Sequence, residues 1–200
     1  MPRRRLLSDD QLLSAALDVF VRKGHRATTI QDICQAARCH VGSIYHRFPN
    51  KETMAATLFL TVARDFEAEL SDRMDGARSA GSMVEAYLDA LFAFMEESPR
   101  ESRYYTLFRP EEFDDMPGLP DALRADLRDV TGRLTGAWRK LSRRLSSECE
   151  GVTPDLALAL VLDPALAYGR RWLEGQAAEP PSSFAPRLKR AVLRALGLAA

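Results

Sequence analysis

Apolar residues along this chain return at the three-to-four-residue spacing of an α-helix, and nowhere settle into the two-residue alternation of a strand. Leu12, Leu13, Ala16, Leu17, Phe20 and Val21 mark a first helix over 8–23. Ser8 and Gln11 have the spacing of a capping box, and Gly24 suits the left-handed residue just past a helix end. Thr29 opens a second helix as its N-cap, with Asp32 near the positive end of the dipole and Ile30, Ile33 and Ala37 facing the first helix. A turn at Arg38-Cys39 leads into a third helix from about His40 to Arg47. Phe48-Pro49 ends it, because proline disfavours helical backbone at the residue before it. Asn50 then caps a fourth helix striped by Met54, Leu58, Val62, Phe66, Leu70 and Met74. At ~1.5 Å per residue, its roughly 25 residues span nearly 40 Å, enough to join two modules.

Beyond Gly76 the pattern stays helical. Helices are predicted over 82–97, 100–108, 121–148, 154–175 with a kink at Pro164, and 184–196 after Pro180-Pro181. The stretch 109–120, RPEEFDDMPGLP, is a loop by its prolines, glycine and acids. The chain reads as all-α, with about nine helices and no internal repeat. An N-terminal three-helix head with a helix-turn-helix occupies 1–51, the fourth helix (51–75) links it onward, and a larger helical body fills 52–200.

Composition narrows the function. Two hundred residues, 46% hydrophobic and 28% charged, are enough for a sizeable core in an ordinary soluble protein. No apolar run approaches the ~20 residues of a membrane span. The opening MPRRR, followed by Ser8, Asp9 and Asp10, does not read as a signal peptide. Cys34, Cys39 and Cys149 are an odd number without framework spacing, which points to a reducing cytoplasm. The formal net charge of zero hides an asymmetry. Residues 1–51 carry nine Lys/Arg against four Asp/Glu, and 52–200 carry nineteen against twenty-four. All three histidines lie in the basic segment. A basic module on an acidic body suggests a polyanion bound at one end.

The 28–51 segment, TTIQDICQAARCHVGSIYHRFPNK, has the chemistry of a helix presented to the DNA major groove. Gly42 and Ser43 keep one face thin, so the backbone approaches closely. Tyr45 offers a hydroxyl to a phosphate or a ring to a thymine methyl; its alternative is to pack the small head. Arg47 and Lys51 bring positive charge to the DNA backbone, and Asn50 begins a helix whose amides favour an anion. Thr29 has a hydroxyl for a phosphate as well as for its cap, and Gln31 is placed to reach a base. His40 and His46 are equally readable as plain surface. Arg3, Arg4 and Arg5 form either an arm for a minor groove or a solvated tail.

Taken together, these features resemble the DNA-binding head of the tetracycline-repressor (TetR) family. The resemblance rests on the apolar first helix ending at Gly24, Thr28-Thr29-Ile30, Ile33, Gly42-Ser43-Ile44-Tyr45-His46 and Phe48-Pro49-Asn50-Lys51, and covers roughly residues 8–60. It implies a homodimer on a near-palindromic stretch of double-stranded DNA, with the third helix in the major groove. It also implies a dimer interface built from the last two long helices, at 156–172 and 184–196, and a body pocket for a small-molecule effector. By this similarity Thr29, Gln31, Val41, Gly42, Ser43, Tyr45, Arg47 and Lys51 are the candidate DNA contacts, and Arg38 and His46 join them. Two positions depart from the family pattern. Arg38-Cys39 stands where Gly-Val is usual, and a non-glycine left-handed residue costs about 1 kcal/mol. Either the turn is altered, or Arg38 is kept because it reaches a phosphate. His40 stands where the third helix usually has a Ser or Thr cap.

In the body, Tyr87, Phe94, Tyr104, Tyr105, Phe108 and Trp138 are the candidate pocket lining, with plain core as the alternative. Glu111, Glu112, Asp114 and Asp115 read as a solvated acidic loop rather than a metal site. Cys39-His40 reads as incidental, since no second Cys or His lies at ligand spacing on the same element. No metal or cofactor is expected. There is no nucleophile elbow, phosphate-binding loop or zinc signature, so an enzyme is not expected either. The function read from the sequence is a ligand-responsive transcriptional regulator in the cytoplasm, most simply a repressor. The alternatives are an architectural or adaptor DNA-binding protein without a ligand, which a solid body would favour, and a helical enzyme.

Overall fold

The structure is a computed structural model that describes residues 7–198, so the Arg3–Arg5 arm lies outside the described residues. Helix α1 (Asp9–Lys23) begins with the predicted capping box: the Gln11 N–H donates to Ser8 Oγ at 3.2 Å and the Ser8 N–H to Gln11 Oε1 at 2.9 Å. Gly24 ends it at φ 77°, ψ 157°, its N–H bonded to the Phe20 carbonyl. This positive φ is extended rather than left-handed helical, and only glycine adopts it cheaply. Helices α2 (Ile30–Ala37), α3 (Val41–Tyr45) and α4 (Lys51–Asp75) follow. Asn50 caps α4, accepting from the Thr53 N–H at 2.6 Å.

Next come α5 (Ala80–Glu97), α6 (Pro99–Tyr105), a 3₁₀ turn (Pro110–Phe113) and α7 (Asp121–Glu148). Helix α8 (Pro154–Ala157) runs through a π turn (Leu158–Leu162) into α9 (Asp163–Leu173), and α10 (Pro181–Ala195) closes the chain. Counting the run 154–173 as one, nine α-helices and no strand occur among the described residues. The π turn has a local cause. Pro164 has no N–H for the Leu160 carbonyl and its ring crowds that carbonyl, so the ladder widens and the Asp163 N–H reaches back to Leu158. Pro181 was read as part of a break but is the first residue of α10, where a missing N–H is harmless. The Ser182 N–H there donates to Glu96 of α5 at 2.8 Å.

The described residues divide into two compact units. The first joins 7–63 to Arg103–Asp129, and the second joins Arg64–Ser102 to 130–198, so α4 and α7 contribute to both. The first unit gathers residues far apart in the chain for a physical reason. Tyr104 is fully buried on Phe20, and its hydroxyl donates to the Ala55 carbonyl at 2.8 Å. Tyr105 stacks on Phe59 at 5.1 Å, and Phe113 packs on both Phe59 and Phe108. Each such ring contributes about 1.5–3 kcal/mol by leaving water. The 109–120 stretch is therefore a packed loop, with Phe113, Met116 and Leu119 buried and Arg124 donating to the carbonyls of Phe113, Asp114 and Met116.

In the second unit α5 lies deepest, with Met83, Val84, Leu88, Ala90, Leu91 and Phe92 all buried. α10 sets Leu188, Val192 and Leu193 inward, and its Lys189 pairs with Asp89 of α5 at 2.8 Å. Gly169 of α9 gives Met95 room: a Cβ there would lie 2.0 Å from its sulfur.

Candidate nucleic-acid interface

Helices α2 and α3 meet through a Schellman turn. The Arg38 N–H donates to the Gln35 carbonyl at 3.3 Å and the Cys39 N–H to the Cys34 carbonyl at 3.0 Å, with Arg38 at φ 53°, ψ 42°. Among the described residues Arg38 is the one non-glycine with positive φ. The turn is therefore kept in its left-handed form and the arginine bears the strain. His40 takes the extended backbone of an N-cap but makes no side-chain cap bond, so α3 starts at Val41 without one.

Ile44, fully buried, and Phe48 anchor the inner side of this short helix. Its outer side presents Val41 (39% exposed), Gly42, Tyr45 (51% exposed) and His46, with Ser43 half-buried between them. A Cβ on Gly42 would meet nothing within 4 Å, so no packing among the described residues requires that glycine. Tyr45 points outward rather than into the head. Gln31 and Arg38 are also exposed on the same two-helix element.

The remaining candidates are engaged within the protein. The Thr29 hydroxyl accepts from the Asp32 N–H at 3.2 Å and donates to Asp32 Oδ2 at 2.9 Å, so its proton already has an acceptor. Lys23 pairs with Asp32 at 2.6 Å. That bond, with those from Thr29, holds the Asp32 carboxyl down at about 2. Arg47 is half-buried and pairs with Asp9 at 3.0 Å. The Lys51 ammonium donates to the carbonyls of His25 and Thr28 at 2.9 and 3.0 Å, using two of its three donors to close the connection between α1 and α2. Sequence alone carries no signal for this role, because it depends on where two backbone carbonyls turn after folding. Beside it His25 packs between Phe20 and Phe108 at 5.6 and 5.2 Å, with Nε2 buried and unbonded. Burial first, and the Lys51 charge second, lower its pKa from the ordinary 6.5.

The six pocket candidates divide between the units. Tyr104, Tyr105 and Phe108 belong to the aromatic core of the first. In the second, Tyr87 meets Trp138 edge to face at 5.7 Å and Phe94 stacks on Phe66 at 4.8 Å. Each of these rings packs against another ring of its own unit. Three open clefts of about 130, 300 and 440 Å³ on the second unit are lined by other residues. The largest gathers Arg78, Lys140, Arg143 and Arg144. On the 154–173 run, Leu156, Leu158 and Leu166 are 37–41% exposed, unusual for large apolar side chains on a packed helix. No described helix is long and apolar enough to cross a membrane, and no cluster of metal-ligating side chains occurs among the described residues.

Residues 12–58 match the family described as bacterial regulatory proteins, tetR family. The chain is 31% identical over 142 residues to the HTH-type transcriptional regulator TcmR of Streptomyces glaucescens, an alignment covering 71% of this chain and 55% of that protein. It is 42% identical over 111 residues to the HTH-type transcriptional repressor KstR2 of Mycolicibacterium smegmatis, covering 56% of this chain and 52% of that protein. The chain thus spans about half the length of these curated relatives. The fold is similar to that of the ketosteroid transcriptional regulator KstR2 of Mycobacterium tuberculosis, with a TM-score of 0.76 at 20% identity over 97% of this chain and 98% of that one. It is also similar to the transcriptional regulator FadR of Bacillus subtilis in complex with stearoyl-CoA, with a TM-score of 0.67 at 15% identity, covering 92% and 97%.

Proposed function

We propose that this chain, a member of the tetR family of bacterial regulatory proteins, is a dimeric repressor that leaves its operator when a small molecule binds the helical body. The observation that carries the reading is the outer side of α3. A thin, glycine-bearing helix holds Val41, Gly42, Tyr45 and His46 outward from an Ile44 anchor, with Arg38 exposed at its entry. Such a surface is exposed among the described residues and matches what a major groove requires. Gln31 and Ser43 read as further base or phosphate contacts. In this account Thr29, Arg47 and Lys51 act first by shaping the head, and Lys51 keeps one donor for a phosphate. The exposed leucines of the 154–173 run are the apolar face of the homodimer. In this account effector binding belongs to the helical body. Names of related regulators refer to a ketosteroid and to an acyl-CoA, so an apolar effector is the class to screen first.

The test is a binding titration of the dimer against DNA flanking its own gene, parent beside Tyr45→Ala. The variant is expected to lose operator binding while remaining folded and dimeric. Lys51→Ala is the poorer variant, because it also opens the junction of α1 and α2. Equal binding by parent and Tyr45→Ala contradicts the reading.

A further inference from the structure

The turn joining the two helices of the head carries a second chemistry. In a Schellman turn the residue two past the helix end meets the residue on the last turn whose carbonyl its N–H bonds. Both positions here are cysteines. The Cys39 N–H reaches the Cys34 carbonyl at 3.0 Å, which sets the two cysteines beside each other across the turn. Cys34 is buried at 7% exposure, Cys39 is half-exposed, and both are free thiols. Read one element at a time, Cys39 had no partner, because Cys34 lies on α2 and the turn brings it back.

We propose that Cys34 and Cys39 form a peroxide-oxidisable dithiol that closes into a disulfide across the turn and displaces α3. The Cys39 thiolate, the accessible one, attacks a peroxide oxygen. The O–O bond breaks, hydroxide leaves and is protonated to water, and Cys39 becomes a sulfenic acid. The Cys34 thiol then gives up its proton, and its sulfur attacks the sulfenic sulfur. The S–O bond breaks, the S–S bond forms, and the second water carries the proton away. Two thiols are oxidised and one peroxide is reduced to two waters. Burial, reinforced by the neighbouring Cys39, pushes Cys34 up to about 11, so its closing step speeds up with rising pH.

A disulfide sets its sulfurs about 2.05 Å apart, far closer than two free thiols approach. Cys34 is fixed inside α2, so the closure is taken up by Cys39. His40 and α3 follow directly, and α3 has no side-chain cap to hold its start in place. Cys149 lies in the other unit and serves as the internal control.

The existence of the dithiol stands apart from the operator reading, whereas its effect on DNA rests on it. The experiment treats the full native chain with hydrogen peroxide and maps it without reduction. Trypsin cuts after Arg38, so the disulfide joins the separate peptides 27–38 and 39–47. The expected result is that linked pair, reversed by dithiothreitol. Affinity for the DNA flanking the gene is expected to fall by at least about tenfold on oxidation and to return on reduction. Cys34→Ser should keep parental affinity before oxidation, stop at oxidised Cys39 and form no link. Oxidation of Cys39 in the parent without the linked pair overturns the dithiol. A linked pair with unchanged DNA affinity overturns the displacement of α3. A parent that never binds this DNA defeats the operator reading, and the peptide map still decides the dithiol.

Discussion

Two residues at the tip of the head set stability against recognition. Arg38 holds a left-handed conformation that glycine adopts freely, so Arg38→Gly is expected to stabilise the chain by about 1 kcal/mol in urea unfolding. If Arg38 also meets a phosphate, the same variant binds DNA less well and its salt dependence falls by roughly one unit. Gly42 is the converse. No described residue would touch an added methyl, and alanine is the better helix former by up to about 1 kcal/mol. Gly42→Ala should therefore leave the fold as stable or more so while weakening operator binding, a combination that a purely structural glycine does not produce. Residue identities at this tip were legible in the sequence because they follow local spacing. The bonds of Arg47 and Lys51 were not, since their partners Asp9, His25 and Thr28 come into reach through the packing of three helices.

At the scale of elements, what could be read locally was read well. The capping box at Ser8, the caps at Thr29 and Asn50 and the whole span of α7 need only sequence neighbours, and each appears in the structure. Assignments that depend on distant partners fared differently. An amphipathic pattern shows that Tyr104, Tyr105 and Phe108 are buried somewhere but not by what, and within the first unit they pack on Phe20 and Phe59. His25, packed against the same aromatic group, gives this arrangement a pH signature. Its native pKa lies below 6.5, so the unfolded chain takes up a proton first as pH falls. Stability is expected to be full above about 6.5 and to decline from there down to the lowered native value, and His25→Leu should flatten that decline in urea midpoints. Asp32 acts in a separate window. Its carboxyl is held near 2, so its contribution is present above the ordinary 3.8 and is lost only as pH falls toward about 2.

For the whole molecule the account needs two copies. Leu156, Leu158 and Leu166 are large, apolar and exposed on one helical run, and burying them against a second chain recovers about 25 cal/mol for each Å² removed from water. Leu166→Glu is expected to shift sedimentation from dimer toward monomer without loss of helicity. A parent that sediments as a monomer removes the dimer from the account. The central claim is that the outer side of α3 reads a DNA sequence. The measurement that tests it most directly is a titration of the parent against DNA flanking its own gene, in excess random competitor at ~0.1 M salt. Tight binding that resists the competitor is predicted. Binding no tighter than to the competitor would contradict the claim.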